Sequence, residues 1–216
     1  MRKTLFMNTK STNGRASANG PSTPEGFSLG DLMKAIKDAE DGTRPVESWN
    51  PKLCGDIDIV IKADGSWWHE GGRVGRKGLI ELFASVLRKD KDGETYLVTP
   101  VEKLRITVER AHFVATRLDV QGKDEDMRLF FTTDFGGTVE AGPNNPIRVE
   151  TDADTLEPAP FVLVRGRLEA TLARPVFYEL VEQAVEIMTD DGPQLGVYSN
   201  GAFFPLGPPN AHIEGA

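Results

Sequence analysis

The chain predicts an α+β fold in two packed parts with an internal duplication, the second part being a curved antiparallel sheet or partial barrel capped by a long helix. Three observations carry this. Hairpin-like stretches at Ile57 to Glu70 and Phe161 to Leu172 each run into an arginine (Arg76, Arg174), an amphipathic stretch, a glycine (Gly93, Gly192) and a strand-like run, Tyr96 to Thr99 or Leu195 to Ser199. Each arginine stands five residues before a Glu-Leu pair, Glu81-Leu82 or Glu179-Leu180. Strand-like runs then cluster in the second half ahead of one helical stripe, without the strand–helix alternation that a parallel doubly wound sheet needs.

Residues 1–26 are rich in Ser, Thr, Asn, Gly and Pro and read as a disordered tail. A first α+β part is expected over 27–93. Its opening helix has Ser28 as N-cap, Phe27 stapling against Leu32, and Leu29, Leu32, Met33 and Ile36 at helical spacing; it is expected to end near Asp41-Gly42. A Pro-containing connection from Thr43 to Leu53 follows. Ile57, Ile59 and Ile61 alternate with polar residues as in a half-buried strand, Asp64-Gly65 signals a hairpin turn, and Trp67 to Glu70 is the return strand. Leu79, Leu82, Phe83 and Val86 form the apolar face of the next helix.

A β-rich second part is expected over 94–207, with strands near 95–98, 101–109, 113–120, 127–133, 138–141, 147–150, 161–164, 167–172 and 194–199, separated by turns rich in Gly, Pro, Asn and Asp. Its capping helix starts at Pro175, which suits a first helical position because its missing N–H needs no partner there. Phe177, Leu180, Val181, Ala184, Val185 and Met188 continue one stripe. Phe203-Phe204 precede a flexible tail at 208–216.

The 216 residues, 39% hydrophobic and 27% charged, describe an ordinary soluble protein long enough to bury a core without staples. No apolar run approaches the length of a membrane helix. A single cysteine, Cys54, rules out an internal disulfide, and Leu5-Phe6-Met7 is too short an apolar core for a secretory signal, so a cytoplasmic location is expected. The net charge of −8 argues against a general nucleic-acid binder, which needs a basic face to release counterions.

The segments Cys54-Gly55-Asp56-Ile57, Gly65-Ser66-Trp67-Trp68, Leu97-Val98-Thr99-Pro100-Val101-Glu102-Lys103 and Leu195-Gly196-Val197-Tyr198-Ser199 resemble a bacterial family known as domain of unknown function 1285. Val164-Arg165-Gly166-Arg167-Leu168-Glu169-Ala170 and Phe203-Phe204-Pro205-Leu206-Gly207 strengthen the likeness, which runs from about Leu29 to Gly207. The resemblance implies a two-part α+β fold with an internal duplication and a C-terminal part superficially like pleckstrin-homology domains. It also implies a ligand site between the parts, a nucleotide-like ligand and a role in signal transduction. It implies no established activity.

In the loop Gly71-Gly72-Arg73-Val74-Gly75-Arg76-Lys77, glycines, a helix start and arginines together offer an anion cradle, yet the spacing is neither the P-loop nor the dinucleotide fingerprint. It reads first as a tight strand-to-helix turn whose arginines pair with nearby glutamates. Arg174 repeats Arg76, with Arg165 and Arg167 near it in sequence. A cation at a helix N-terminus opposes the helix dipole by roughly 0.3–1 kcal/mol. A bound anion, or a carboxylate such as Glu81, Glu169 or Glu179, is expected to offset it. Trp67 and Trp68, adjacent on a strand, must face opposite ways, so one enters the core and the other covers a contact or stacks on a ring. Tyr178 offers a hydroxyl or packs. His69, beside Glu70, is the first general-base candidate; no metal-ligand spacing or nucleophile elbow occurs, and no cofactor is implied.

The leading expectation is a ligand-binding or regulatory protein whose interdomain cleft takes an anionic, nucleotide-like small molecule. Arg76 and Arg174 would bind charge, Arg73, Arg165 and Arg167 would assist, and Trp68, His69 or Tyr178 would complete the site. The alternatives are an enzyme acting on a phosphorylated small molecule with His69 as base, and a protein-interaction module using the β-rich part.

Overall fold

A computed structural model describes residues 29–38, 44–151, 157–189 and 192–207. The expected tails, the Ser28 cap and the end of the first helix near Asp41-Gly42 lie outside the described residues. Strands dominate, in two six-stranded sheets and one three-stranded sheet among those residues.

The first sheet contains β1 (Leu53–Ile61), β2 (Trp67–His69), β3 (Gly72–Arg73), β4 (Leu87–Lys89), β5 (Thr95–Val98) and β6 (Lys103–Val108), in the order β3-β2-β1-β6-β5-β4. Ile57, Ile59 and Ile61 all point inward from β1, as their alternation requires. Asp64 holds the β1–β2 turn by accepting hydrogen bonds from the Ser66 N–H at 2.9 Å and hydroxyl at 2.6 Å. Trp67 is buried and stacks on Phe83 with ring centroids 6.3 Å apart. Trp68 faces the other way, half-buried, its indole N–H donating to Ser66 Oγ at 2.9 Å. Phe83 belongs to α2 (Lys77–Ala84), beside which α1 (Leu29–Asp38) buries Leu32 and Ile36.

The second sheet contains β7 (Phe113–Gln121), β8 (Arg128–Thr133), β9 (Thr138–Glu140), β10 (Ile147–Thr151), β11 (Pro158–Arg165) and β12 (Leu168–Leu172), in the order β10-β11-β12-β7-β8-β9. Then come α3 (Arg174–Val181) and the third sheet, β13 (Val185–Thr189), β14 (Gly192–Ser199) and β15 (Ala202–Gly207). Both six-stranded sheets join two three-stranded antiparallel meanders through one parallel pair, β1 with β6 and β7 with β12.

The repeated unit is larger than the sequence pattern indicates. Meander, helix, meander describes β1 through β6 around α2, and again β10 through β15 around α3. In the first copy the opening and closing strands, β1 and β6, pair; in the second, β10 and β15 lie beside each other. The strands β7, β8 and β9 separate the two copies along the chain and complete the second sheet. Buried Ser199 fastens β14 to that sheet: its Oγ accepts from the Leu129 N–H at 3.0 Å and donates to the Ala141 carbonyl at 2.7 Å.

Three expectations need correction. Neither helix reaches its glycine. α2 stops at Ala84 because Val86, Leu87 and Arg88 are buried and β4 pairs with β5 across the Asp90–Gly93 turn. α3 stops at Val181 because Val185-Glu186-Ile187-Met188-Thr189 suits a strand and pairs with β14. Among the described residues no long helix therefore caps the second sheet. The part boundary expected at Gly93 falls inside the first sheet, which holds β5 and β6 and runs to Val108. Beyond these corrections, Phe203-Phe204 lie in a further strand, β15, turned back by Asn200-Gly201.

Candidate functional site

The cleft that joins the two parts is built from three segments far apart in sequence. Residues Glu47 to Asn50 precede β1, residues Arg88 to Asp92 form the end of β4 and its turn, and Arg167 lies in the turn between β11 and β12. Together they enclose about 460 Å³. Buried Arg88 anchors the first two segments. Its guanidinium donates to the Val46 carbonyl at 2.8 Å and the Trp49 carbonyl at 2.6 Å, and to the Asp90 carboxylate at 2.6 Å. Lys103 reaches the same carboxylate at 2.9 Å. Burial alone would raise the Asp90 carboxyl, but the Arg88 and Lys103 hydrogen bonds outweigh it and hold it below its ordinary value. Asp92 accepts from the Tyr96 hydroxyl at 2.7 Å. Burial and this bond push the phenol up to about 12.

The third segment meets the first at Gly166. With φ of +55° it turns where a side chain is disfavoured, and an added Cβ would lie 2.6 Å from Glu47 Oε1. Two of the cleft's acids are thus engaged internally, Asp90 by cations and Asp92 by a hydroxyl. Lys91 and Arg167 are exposed at the rim and Lys89 is half-buried. Trp49 is half-buried against the core. In a chain of net charge −8, this cleft carries four cationic side chains against three carboxylates.

The sequence-derived residues scatter around this cleft. Arg167 lines it. Arg165, two residues earlier, is a cross-part clamp: its guanidinium donates to the carbonyl of Ala84, the last residue of α2, at 2.6 Å and to the Leu87 carbonyl of β4 at 3.3 Å, and lies 6.0 Å from the Phe113 ring centre. Burial holds it below the usual arginine value, with Glu47 pulling the other way.

Arg76 caps α2 as an exposed residue whose side chain makes no capping bond. Arg174 begins α3, exposed, and pairs with Glu157 at 3.1 Å. Its offsetting carboxylate is Glu157, while Glu81 goes to Lys77 and Glu169 to Arg148. Neither Arg76 nor Arg174 lines the interdomain cleft. Arg73 and Trp68 pair across the β2–β3 hairpin, and neither lines the cleft. His69 Nδ1–H donates to the Asp58 carbonyl at 2.8 Å, which leaves Nε2 of the neutral ring as an acceptor. Tyr178 is 37% exposed on α3.

Sequence reasoning missed Trp49, Lys89 and Lys91. Trp49 stood in a connection, and Lys89 and Lys91 fell in the stretch expected to continue the helix to Gly93. Among the described residues no cluster of three or more His, Cys, Asp or Glu is placed to hold a metal, and no helix is long and apolar enough to cross a membrane.

Two family models match the chain. One, for the N-terminal domain of a domain of unknown function (DUF1285), covers residues 44–111; the other, for the C-terminal domain of a protein of unknown function (DUF1285), covers residues 112–206. Their junction falls just past β6, where the first sheet ends. Among solved structures the chain is similar to a DUF1285 family protein from Silicibacter pomeroyi DSS-3. Identity is 41%, coverage 82% of this chain and 94% of that one, and the TM-score 0.75. It is also similar to a DUF1285 family protein from Shewanella baltica OS155, 24% identical over 58% of this chain and 91% of that one, with a TM-score of 0.45. No curated protein matches.

Proposed function

The chain belongs to the DUF1285 family, and from that premise we propose that it is a ligand-binding protein of regulatory type. Its ligand is an anionic, ring-bearing small molecule of nucleotide-like chemistry, held in the cleft between Glu47–Asn50, the β4–β5 turn and Arg167. One observation carries the reading: the fold brings Arg167, Lys89 and Lys91 from both parts of an acidic chain to one hollow beside Trp49. Guanidinium and ammonium groups suit phosphate or carboxylate, and an indole offers a face to a base. The volume, about 460 Å³, lies in the range of small-molecule sites. Arg167 is then the anion contact retained from the sequence, Arg165 fixes the wall on which Arg167 stands, and Arg76 and Arg174 act elsewhere. A signalling role fits a site made jointly by two parts, since a ligand there favours one mutual arrangement of them.

Calorimetric titration with a panel of nucleoside mono-, di- and triphosphates tests this. Arg167→Ala is expected to weaken binding by about tenfold or more, the equivalent of losing one charge-assisted contact of about 1.4 kcal/mol. Equal affinity in Arg167→Ala overturns the assignment.

A further inference from the structure

A second cleft, of about 310 Å³, opens at the far side of Arg165, between β9, the β9–β10 turn, the end of β11 and the β14–β15 turn. Its polar walls are Thr138, Glu140, Asn144, Asn145, Asn200 and Arg165. Both charged groups are already engaged, Glu140 by a cation and Arg165 by backbone carbonyls. Arg128 grips Glu140 through two hydrogen bonds at 2.6 and 2.8 Å, and the Arg165 guanidinium donates to the Ala84 and Leu87 carbonyls. What the cleft leaves open to a ligand is therefore chiefly amide chemistry.

That amide chemistry is held in place. Gly142 and Asn145 exchange two backbone hydrogen bonds, at 3.0 and 3.1 Å, which closes the β9–β10 turn. Asn145 donates both amide hydrogens to the Leu163 and Val164 carbonyls, at 2.9 and 3.0 Å, which leaves its Oδ1 as an acceptor. Asn200 adopts φ of +48°, a conformation that asparagine tolerates, and its N–H is pinned to the Met127 carbonyl at 2.9 Å. The neighbouring Ser199 is locked by two buried bonds. The Asn200 side chain lies over Gly142, where an added Cβ would stand 3.0 Å from its Nδ2. The side-chain amides of Asn144 and Asn200 make no hydrogen bond among the described residues.

The geometry points to a site for a neutral polyhydroxylated molecule of monosaccharide size, bound by Asn144, Asn145 and Asn200, with Val139 and Val164 beneath it. Hydroxyls both donate and accept, as free carboxamides do, and the cleft's one cation, Arg165, already commits N–H donors to the Ala84 and Leu87 carbonyls. The volume corresponds to about ten waters, room for one sugar ring and little more. At about 0.3 kcal/mol per heavy atom, such a ligand binds near the millimolar range.

Saturation-transfer NMR suits that range. The probes are glucose, N-acetylglucosamine and myo-inositol, with glucose 6-phosphate as the charged control. Transfer to at least one neutral probe is expected, with the dissociation constant raised about tenfold or more in Asn200→Ala and in Gly142→Ala, whose added methyl displaces the Asn200 amide. Asn144→Ala, at an exposed position, gives the same weakening without touching the fold, and Arg167→Ala leaves the transfer unchanged. No transfer to any neutral probe, transfer unchanged by Asn200→Ala, Gly142→Ala and Asn144→Ala alike, or, in the Arg167→Ala background, tighter binding of the phosphorylated control than of the neutral probes each overturns the proposal.

Discussion

Arg165→Ala separates a clamp from a ligand contact. The guanidinium makes two hydrogen bonds across the junction, and the one at 2.6 Å to the Ala84 carbonyl is the strong one. Hydrogen bonds to a charged group contribute about 1.5–3 kcal/mol, and removing the donor strands a carbonyl at the end of α2. The stem also covers Phe113, a buried residue, so truncation loses packing as well. Against this stands relief of the desolvated charge, whose burial already lowers its affinity for a proton. The net expectation is a loss of about 2 kcal/mol, or about 4–8 °C in melting temperature for a chain of this size. Urea denaturation followed by tryptophan fluorescence is the assay, with the slope unchanged if the unfolded state is unaffected. An unshifted midpoint would refute the clamp and return Arg165 to the list of groups free to meet a ligand.

Ser199→Ala leaves the Leu129 N–H and the Ala141 carbonyl without their buried hydroxyl partner and is expected to cost about 1–3 kcal/mol, read by the same denaturation. His112 sits between the two parts, its Nδ1 accepting from the Glu169 N–H at 3.1 Å and its Nε2–H donating to Thr95 Oγ1 at 3.0 Å. Burial, aided by Lys89, lowers its pKa to about 4. The unfolded chain takes up this proton near pH 6.5 and the folded one only near 4. Stability is therefore full above about pH 6.5 and falls by about 3 kcal/mol as pH drops to about 4. Denaturation midpoints from pH 7.5 to 4.5 check it; His112→Gln is expected to flatten that slope, and an equal slope in the variant would contradict it.

Much of the fold is legible in the sequence where local chemistry decides. Asp64-Gly65 marks a hairpin, the alternation of Ile57, Ile59 and Ile61 fixes an inward face, and the strand at Thr95–Val98 falls where its apolar run stands. The helices were overextended because Val86 and Val185 continue an apolar stripe that helix and buried strand share; long-range pairing with β5 and β14 decides between them. β15 had a signal in Asn200-Gly201, a favoured two-residue hairpin turn, which the proline at 205 obscured. The parallel pairs β1·β6 and β7·β12 join strands about 50 residues apart, and no local pattern specifies them. The same holds for the site. Arg167 stood beside Arg165 in sequence, but neighbouring positions in a turn took opposite tasks, one clamping α2 and one facing the cleft. Trp49, Lys89 and Lys91 become a group only when Arg88 ties their segments together.

The central claim is that charge recognition resides at Arg167 rather than at the duplicated helix starts. Calorimetric titration of one nucleoside triphosphate against the wild type, Arg167→Ala and the double variant Arg76→Ala/Arg174→Ala tests it most directly. The account predicts wild-type affinity in the double variant and a loss of about tenfold in Arg167→Ala. The reverse pattern, with Arg167→Ala binding as tightly as the wild type and the double variant failing, would contradict it.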